Sequence, residues 1–491
     1  MRTPEVLIEI WGSWTGRIAI ILLIAQFLLA VWVVAFTDYQ TLSKKYLDET
    51  AWLGKHPRAV PPCWAVPHRA DTVKVELKTS TIEPKIVEKK QVGRYVRYVV
   101  EWSYQFEYRG DALPSDTLLL LAVKRSPDLR VYKLEVKLVR PDNSTITILA
   151  KTPVIEEHTV IVGIGGVEVE PKPVALNTLP PDSPVYRSIM NSIAGLIESK
   201  ELIVELGPGK LLWADRRGKA LPGVYEVKMI ASFYVRGQLV DSNILSKLPE
   251  YTDVHIIMQI LGNCYGLMGT DSVGRPIELG ILVGLPWSFV ISFYVTFLTT
   301  MIGGFYGILA GFASGRRAEL LMRIADIVYS LPLLPILIMV VMVTRSYSIW
   351  LILTTMVALL WVGPVVVVRS MALQIKNQPY IEAARAIGAS NVRILFRYVL
   401  PQILPFLVAL MVLGIPDPII AEAALAFLGL SDPTIPTWGK MLEWAWKEHA
   451  VLNGWWWSFL FPGLALTVFC TTFLMLGRAL EPIVTPKLKS K

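Results

Sequence analysis

Six apolar runs set the frame of this 491-residue chain. They cover residues 18–36, 285–305, 324–343, 349–368, 403–428 and 457–476, each close to the ~20 residues that cross a bilayer as a helix. Between the first and second runs the pattern changes. Residues 73–77, 131–139 and 225–234 alternate apolar and polar side chains, the period of half-buried strands. Arg140-Pro141-Asp142-Asn143-Ser144-Thr145 supplies turn chemistry between two such runs. Pro222-Gly223-Val224-Tyr225 resembles the approach to the tyrosine-bearing strand of immunoglobulin-like sandwiches. Residues 184–199 and 253–261 read as helices. The pattern predicts an α-helical membrane protein of six spans with an inserted, mainly-β, sandwich-like domain. Pro332, Pro335, Pro416 and Pro418 interrupt spans, so those helices should kink or break where protein or water satisfies the freed backbone groups.

Charge orients the spans. Arg2 and Arg17 precede or open the first run, and no small-residue cleavage site follows it, so it reads as a retained helix with its amino terminus inside. Arg316, Arg317 and Arg323 then lie between the second and third spans, the cluster from Arg369 to Arg397 between the fourth and fifth, and Lys487, Lys489 and Lys491 at the end. All face the cytoplasm in one self-consistent topology, with residues 38–280 largely outside. Trp438, Trp444, Trp446 and Trp455-Trp456-Trp457 mark the opposite interface. The Asn143-Ser144-Thr145 sequon is usable only if the inserted domain is outside. The net charge of +8 is scattered or flanks apolar runs, which suits lipid headgroups and not a nucleic-acid groove.

One cationic stretch between the fourth and fifth spans carries the most specific signal. It reads Glu382-Ala383-Ala384-Arg385-Ala386-Ile387-Gly388, then Ala389-Ser390-Asn391-Val392-Arg393, and reaches Tyr398-Val399-Leu400-Pro401. Strong helix formers precede Gly388, which can close a helix in a left-handed cap. Ser390 or Asn391 can cap a second short helix ending near Leu400-Pro401. Glu382, Ala383, Ala384, Gly388, Leu400 and Pro401 resemble the E-A-A loop of ABC importer permeases, with Tyr398 where the general pattern has Ile. In that family the loop is the coupling helix that fits a cleft on the ATPase subunit. The resemblance therefore implies that residues 377–401, with Arg385 and Arg393 among them, form an ATPase-coupling loop.

Further matches narrow the resemblance to the C-type subunits of dipeptide/oligopeptide permeases. They are Phe427-Leu428-Gly429-Leu430, Trp438-Gly439-Lys440-Met441-Leu442, Pro462-Gly463 and a shortened tail from Leu476 to Pro482. In those relatives a Pro-Pro-Ser-Trp-like segment runs almost directly into Gly-Thr-Asp-x-x-Gly-Arg. Here Pro61-Pro62-Cys63-Trp64 and Gly269-Thr270-Asp271-Ser272-Val273-Gly274-Arg275 are some two hundred residues apart, and Pro276 replaces the family's next Asp. Residues 67–263 are thus an extracytoplasmic insertion. Residues 1–66 hold the first helix and an outer segment, 264–486 the permease domain, and 487–491 a basic tail. Cys63 and Cys264 bracket the insertion as a possible disulfide.

Catalytic chemistry is absent from the pattern. Gly163-Ile164-Gly165-Gly166 and Gly207-Pro208-Gly209-Lys210 lack the spacing and hydroxyl of a phosphate-binding loop and read as turns. The five histidines are dispersed, and the three cysteines form no CxxC pair. The chain reads as a non-enzymatic subunit binding no cofactor, with ATP and magnesium held by partners. The resemblance implies those partners: a second permease subunit, two ATP-binding subunits and an extracytoplasmic substrate-binding protein. The implied cargo is a di- or oligopeptide, with oligosaccharide import on the same architecture, or a secondary transporter or channel with an outer sensor domain, as alternatives. Acids inside spans are functional suspects. Glu422, Asp417 and Asp326 are therefore candidates for the translocation path, against the reading that each is paired within the protein or reaches interfacial water.

Overall fold

The computed structural model describes residues 10–52, 55–70, 72–78, 81–125, 130–151, 174–197, 199–236 and 252–484. Two compact units emerge, Met1–Asp48 with Ile277–Lys491, and Glu49–Pro276. Arg2, the Gly163–Gly166 cluster and the basic tail at 487–491 fall outside the described residues. Helix α1 (Trp14–Phe36) starts at Ser13, whose hydroxyl accepts the Gly16 N–H at 3.0 Å. A short helix α2 (Tyr39–Leu47) follows, capped by Asp38.

The second unit is a two-sheet sandwich. Its strands are β1 (Val73–Lys78), β2 (Lys85–Val92), β3 (Tyr95–Tyr108), β4 (Asp116–Arg125), β5 (Arg130–Val139), β6 (Thr145–Lys151) and β7 (Val174–Ala175). Helices α3 (Pro184–Ile193) and α4 (Lys200–Leu211) precede β8 (Gly223–Arg236) and β9 (Thr252–Leu261). Among the described residues four strands form one sheet in the order β1-β9-β4-β7, and five form the other, β2-β3-β8-β5-β6. A common apolar core unites them, taking Leu77, Leu119 and Met258 from the first sheet and Trp102, Val136 and Met229 from the second. Tyr225 at the start of β8 donates to Leu221 O at 2.7 Å, an anchor of the kind its sequence context suggests.

The three alternating runs are strands β1, β5 and β8. Two helix expectations fail. Residues 253–261 form β9, not a helix. Ile256, Met258 and Ile260 are buried at period two, and the strand is held between β1 and β4. The helix expected over 184–199 stops at Ile193, and α4 begins anew after Ser199. Gly207, at φ 70°, kinks α4, and Gly209 N–H donates to Asn177 Oδ1 at 2.7 Å. A side chain at Gly209 would meet Asp116 Oδ1 at 2.0 Å, so only glycine fits there.

The first unit continues with α5 (Ile277–Phe312), α6 (Arg316–Tyr329), α7 (Leu333–Thr344), α8 (Ile349–Leu360) and α9 (Gly363–Lys376). Next come α10 (Pro379–Ala386), α11 (Asn391–Ile394), α12 (Leu400–Gly414), α13 (Pro416–Phe427), α14 (Trp438–Lys447) and α15 (Trp456–Val484). Among the described residues five helical stretches are long and apolar enough to cross a membrane, or six if α6 and α7 together make one bent span. The bend between them is 73°. It falls at Pro332, which disfavours helix in the residue before it; Pro335 sits in the first turn of α7, where a missing N–H costs nothing.

Pro418 leaves the Gly414 carbonyl without its usual helical donor four residues on, and Thr296 Oγ1 donates to that oxygen at 3.3 Å. Close packing fixes the rest. Side chains added at Gly303 and Gly307 of α5 would lie 2.1 Å from Trp361 O and 2.8 Å from Val365 O, so this face needs glycine.

Candidate functional site

The segment over 377–401 is built by local rules. Pro379 takes the first turn of α10, where no N–H is required. Ile381 and Ala384 are buried, and Ile381 joins a core with Val368, Ile394, Val399 and Ile403. Gly388, at φ 86°, ends the helix in a Schellman arrangement. Its N–H reaches Arg385 O at 2.9 Å, and Ala389 N–H reaches Ala384 O at 3.0 Å. Ser390 then caps α11, its hydroxyl accepting the Arg393 N–H at 3.3 Å. Lys376 ties the preceding helix to the end of α5 by donating to Phe312 O at 2.9 Å.

The second helix does not end at Leu400-Pro401 as expected. A wide turn over Leu395–Val399 leads straight into α12, and Pro401 lies in that helix's first turn, where it is tolerated. Tyr398, the position that departs from the general motif, packs 6.5 Å from the Tyr380 ring, and the Gln402 side chain donates to Tyr380 Oη at 2.9 Å. The inner face is anchored, and the outer face is free. Glu382, Ala383, Arg385 and Arg393 are exposed, as are large apolar groups, above all Ile387 at 84% and Val392 at 67%. A rigid, apolar and cationic surface of this kind is suited to docking a protein.

The three span carboxylates have different surroundings. Asp326 is exposed on α6. Glu422 is only 3% exposed and accepts from Thr437 Oγ1 at 2.8 Å. Thr437 is itself the cap of α14, accepting the Lys440 N–H at 3.2 Å, so Glu422 joins α13 to α14. Asp417 instead lines a cavity of about 300 Å³ together with Thr296, Thr299, Thr300 and Gly414. The threonine set went unnoticed in the sequence, although its i, i+3, i+4 spacing inside an apolar helix marks one polar stripe. A second feature missed is a partly buried ionic network between Ser431 and α14. Ser431 donates to Glu443 Oε2 at 3.0 Å, Lys447 to Glu443 Oε1 at 2.5 Å, and Lys440 to Ser431 at 3.2 Å.

In the second unit Cys63 and Cys264 are bonded, with Cα atoms 4.8 Å apart. The chain on either side of them pairs as well. Thr270 N–H donates to Val60 O at 3.0 Å, Ala59 N–H to Asp271 O at 2.7 Å, and Thr270 Oγ1 to Pro57 O at 2.7 Å. Asp271 Oδ1 accepts the Arg275 N–H at 2.7 Å, closing a loop around Gly274 at φ 92°. Arg275, 1% exposed, reaches Asp271 at 3.5 Å and Glu49 at 3.1 Å. Burial pushes the Asp271 carboxyl up to about 6 against the pull of Arg275 and three backbone N–H groups. The Gly-Thr-Asp motif is therefore a folded, charge-paired clasp. Among the described residues no group of three or more His, Cys, Asp or Glu is arranged to hold a metal.

Bent and paired apolar helices of membrane-crossing length make this a multi-pass membrane protein. Residues 303–486 match the family described as binding-protein-dependent transport system inner membrane component. Over 222 residues the chain is 32% identical to the oligopeptide transport system permease protein OppC of Bacillus subtilis strain 168, covering 45% of this chain and 72% of that protein. The dipeptide transport system permease protein DppC of the same organism is also 32% identical over 222 residues, 45% of this chain and 68% of its own length. The glutathione transport system permease protein GsiD of Pectobacterium atrosepticum is 34% identical over 227 residues, 45% of this chain and 73% of its own. The chain belongs to the dipeptide/oligopeptide family of ABC transporter permeases.

Proposed function

We propose that this chain is one membrane subunit of an ATP-driven importer of di- or oligopeptides, forming half of the translocation pathway. Relatives named for oligopeptide, dipeptide and glutathione transport support that substrate class. A second permease subunit, two ATP-binding subunits and a substrate-binding protein complete the transporter. The loop over 377–401 faces the cytoplasm and couples to an ATPase. The sandwich unit is extracytoplasmic and serves the binding protein or assembly, and both termini are cytoplasmic. The observation that carries the coupling role is the anchored segment presenting Ile387, Val392, Arg385 and Arg393 outward. Positive charge retained on the inner side supports the orientation.

Single cysteines at Ile387 and Val392 test the coupling role better than one at Ala384, which is buried. In the assembled complex both should crosslink to an ATPase subunit, whereas a cysteine at exposed Asn143 should not. The reverse pattern would sink the assignment. Replacing the sandwich unit by a short Gly/Ser linker tests its role. A docking function predicts uptake recovered at high binding-protein concentration; complete loss in an assembled complex would make the unit part of the gate.

A further inference from the structure

Asp417 is the one candidate acid that faces open space in the membrane unit's cavity, and the wall around it has an unusual hydrogen-bond character. Thr296 donates to Gly414 O at 3.3 Å and Thr299 donates to Thr296 O at 3.1 Å. With those protons committed to carbonyls, the two hydroxyl oxygens retain only acceptor capacity. An ionised carboxylate is acceptor-only as well. Asp417, Thr296 and Thr299 thus bring acceptors to the wall; Thr300, whose hydroxyl can either accept or donate, lines it too, and no lining residue is basic. Its volume of about 300 Å³ lies at the lower end of small-ligand pockets, roughly 300–1,000 Å³. Glu422, the acid five residues on, is closed to this space by its bond to Thr437.

We propose that Asp417, with the hydroxyl oxygens of Thr296 and Thr299, takes the primary ammonium group of the substrate during passage through the permease. An ammonium brings three donors and no acceptor, which complements this wall. An acid in an apolar span is costly unless it meets water or a cation, and a passing ammonium is such a cation. The inference rests on the peptide-import reading, since it needs a substrate with a free amine.

The test uses the complete transporter in proteoliposomes, wild type against Asp417→Asn and Asp417→Glu. The probes are a tripeptide with a free amino terminus and its N-acetylated form. The binding protein's own preference is common to all variants and cancels in the ratio of variant to wild type. Asp417→Asn should lower kcat/KM for the free-amine peptide by about tenfold or more, the scale of one charge-assisted hydrogen bond. The acetylated peptide should change by less than about twofold, and Asp417→Glu should recover most of the loss. A pH series on the free peptide is a second arm that needs no blocked substrate. The wild-type advantage over Asp417→Asn should shrink as the α-amine titrates near about 7.7–8.0. Equal loss for both peptides, no loss, a pH-independent ratio or failure of Asp417→Asn to assemble would each overturn the proposal. A cationic side chain of the second permease subunit paired with Asp417 would give equal loss or failed assembly. If the wild type carries neither peptide, the peptide reading itself fails, and that shows before any variant is compared.

Discussion

Replacing Gly388 by alanine changes a backbone preference and little else. A side chain there would meet no atom within 4 Å, so no steric contribution arises. The residue sits at φ 86°, in the left-handed region that costs an L-residue about 1–2 kcal/mol. Two bonds depend on that conformation, from Gly388 N–H to Arg385 O and from Ala389 N–H to Ala384 O. Alanine should therefore reduce the ratio of formed to frayed cap by a factor of about 5–30. Asparagine, which tolerates left-handed caps, should cost less. Proline should cost more, because it fixes φ near −65° and removes the N–H that Arg385 O accepts. ATP-driven uptake in proteoliposomes, with copurification of the ATPase subunits as the control, should rank the variants Gly, Asn, Ala, Pro in falling order. The side-chain contacts of this position are too few to produce such an order by packing. Alanine behaving like glycine while asparagine is impaired, or proline milder than alanine, would refute the reasoning.

Two further outcomes bear on the sandwich unit. Thiol labelling in denaturant should reach Cys63 and Cys264 only after reduction; equal labelling without reductant would contradict the bridge. Closing a free loop of that length is worth about 5 kcal/mol, but segments 57–63 and 265–271 are already paired, so Cys63→Ser with Cys264→Ser should cost far less than that figure. Asp116 gives a pH signature. Burial pushes its carboxyl up to about 6, although the Thr117 and Asn177 N–H groups favour the charged form. Because the folded value lies above the unfolded one of about 3.9, the group destabilises the fold above about pH 6, and the penalty fades as pH falls toward 4. Asp116→Asn should therefore stabilise the unit at pH 7 by up to about 3 kcal/mol and give only a small fraction of that gain at pH 4. Hydrogen exchange of β4 in the full chain at both pH values reads this directly, and equal gain at both would show that titration is not the cause.

The difference between what the sequence discloses and what it hides follows the range of the interactions. The local structure of the 377–401 segment is legible because each device acts within about six residues: Pro379 at the first turn, Gly388 at the left-handed cap, Ser390 on the Arg393 N–H. Strand β9 is not legible in the same way. Its apolar residues crowd both periods until β1 and β4 close on either side and select the extended form. The two acids of α13 show the limit most clearly. Five residues at about 100° per residue place Asp417 and Glu422 about 140° apart around a helix, so the sequence already says they face different surroundings. Which one faces the cavity depends on where α14 packs, and that is set by Thr437, which caps α14 and bonds Glu422 across a loop. The same hydroxyl that starts one helix thereby holds Glu422 away from the cavity, whose wall takes Asp417 instead.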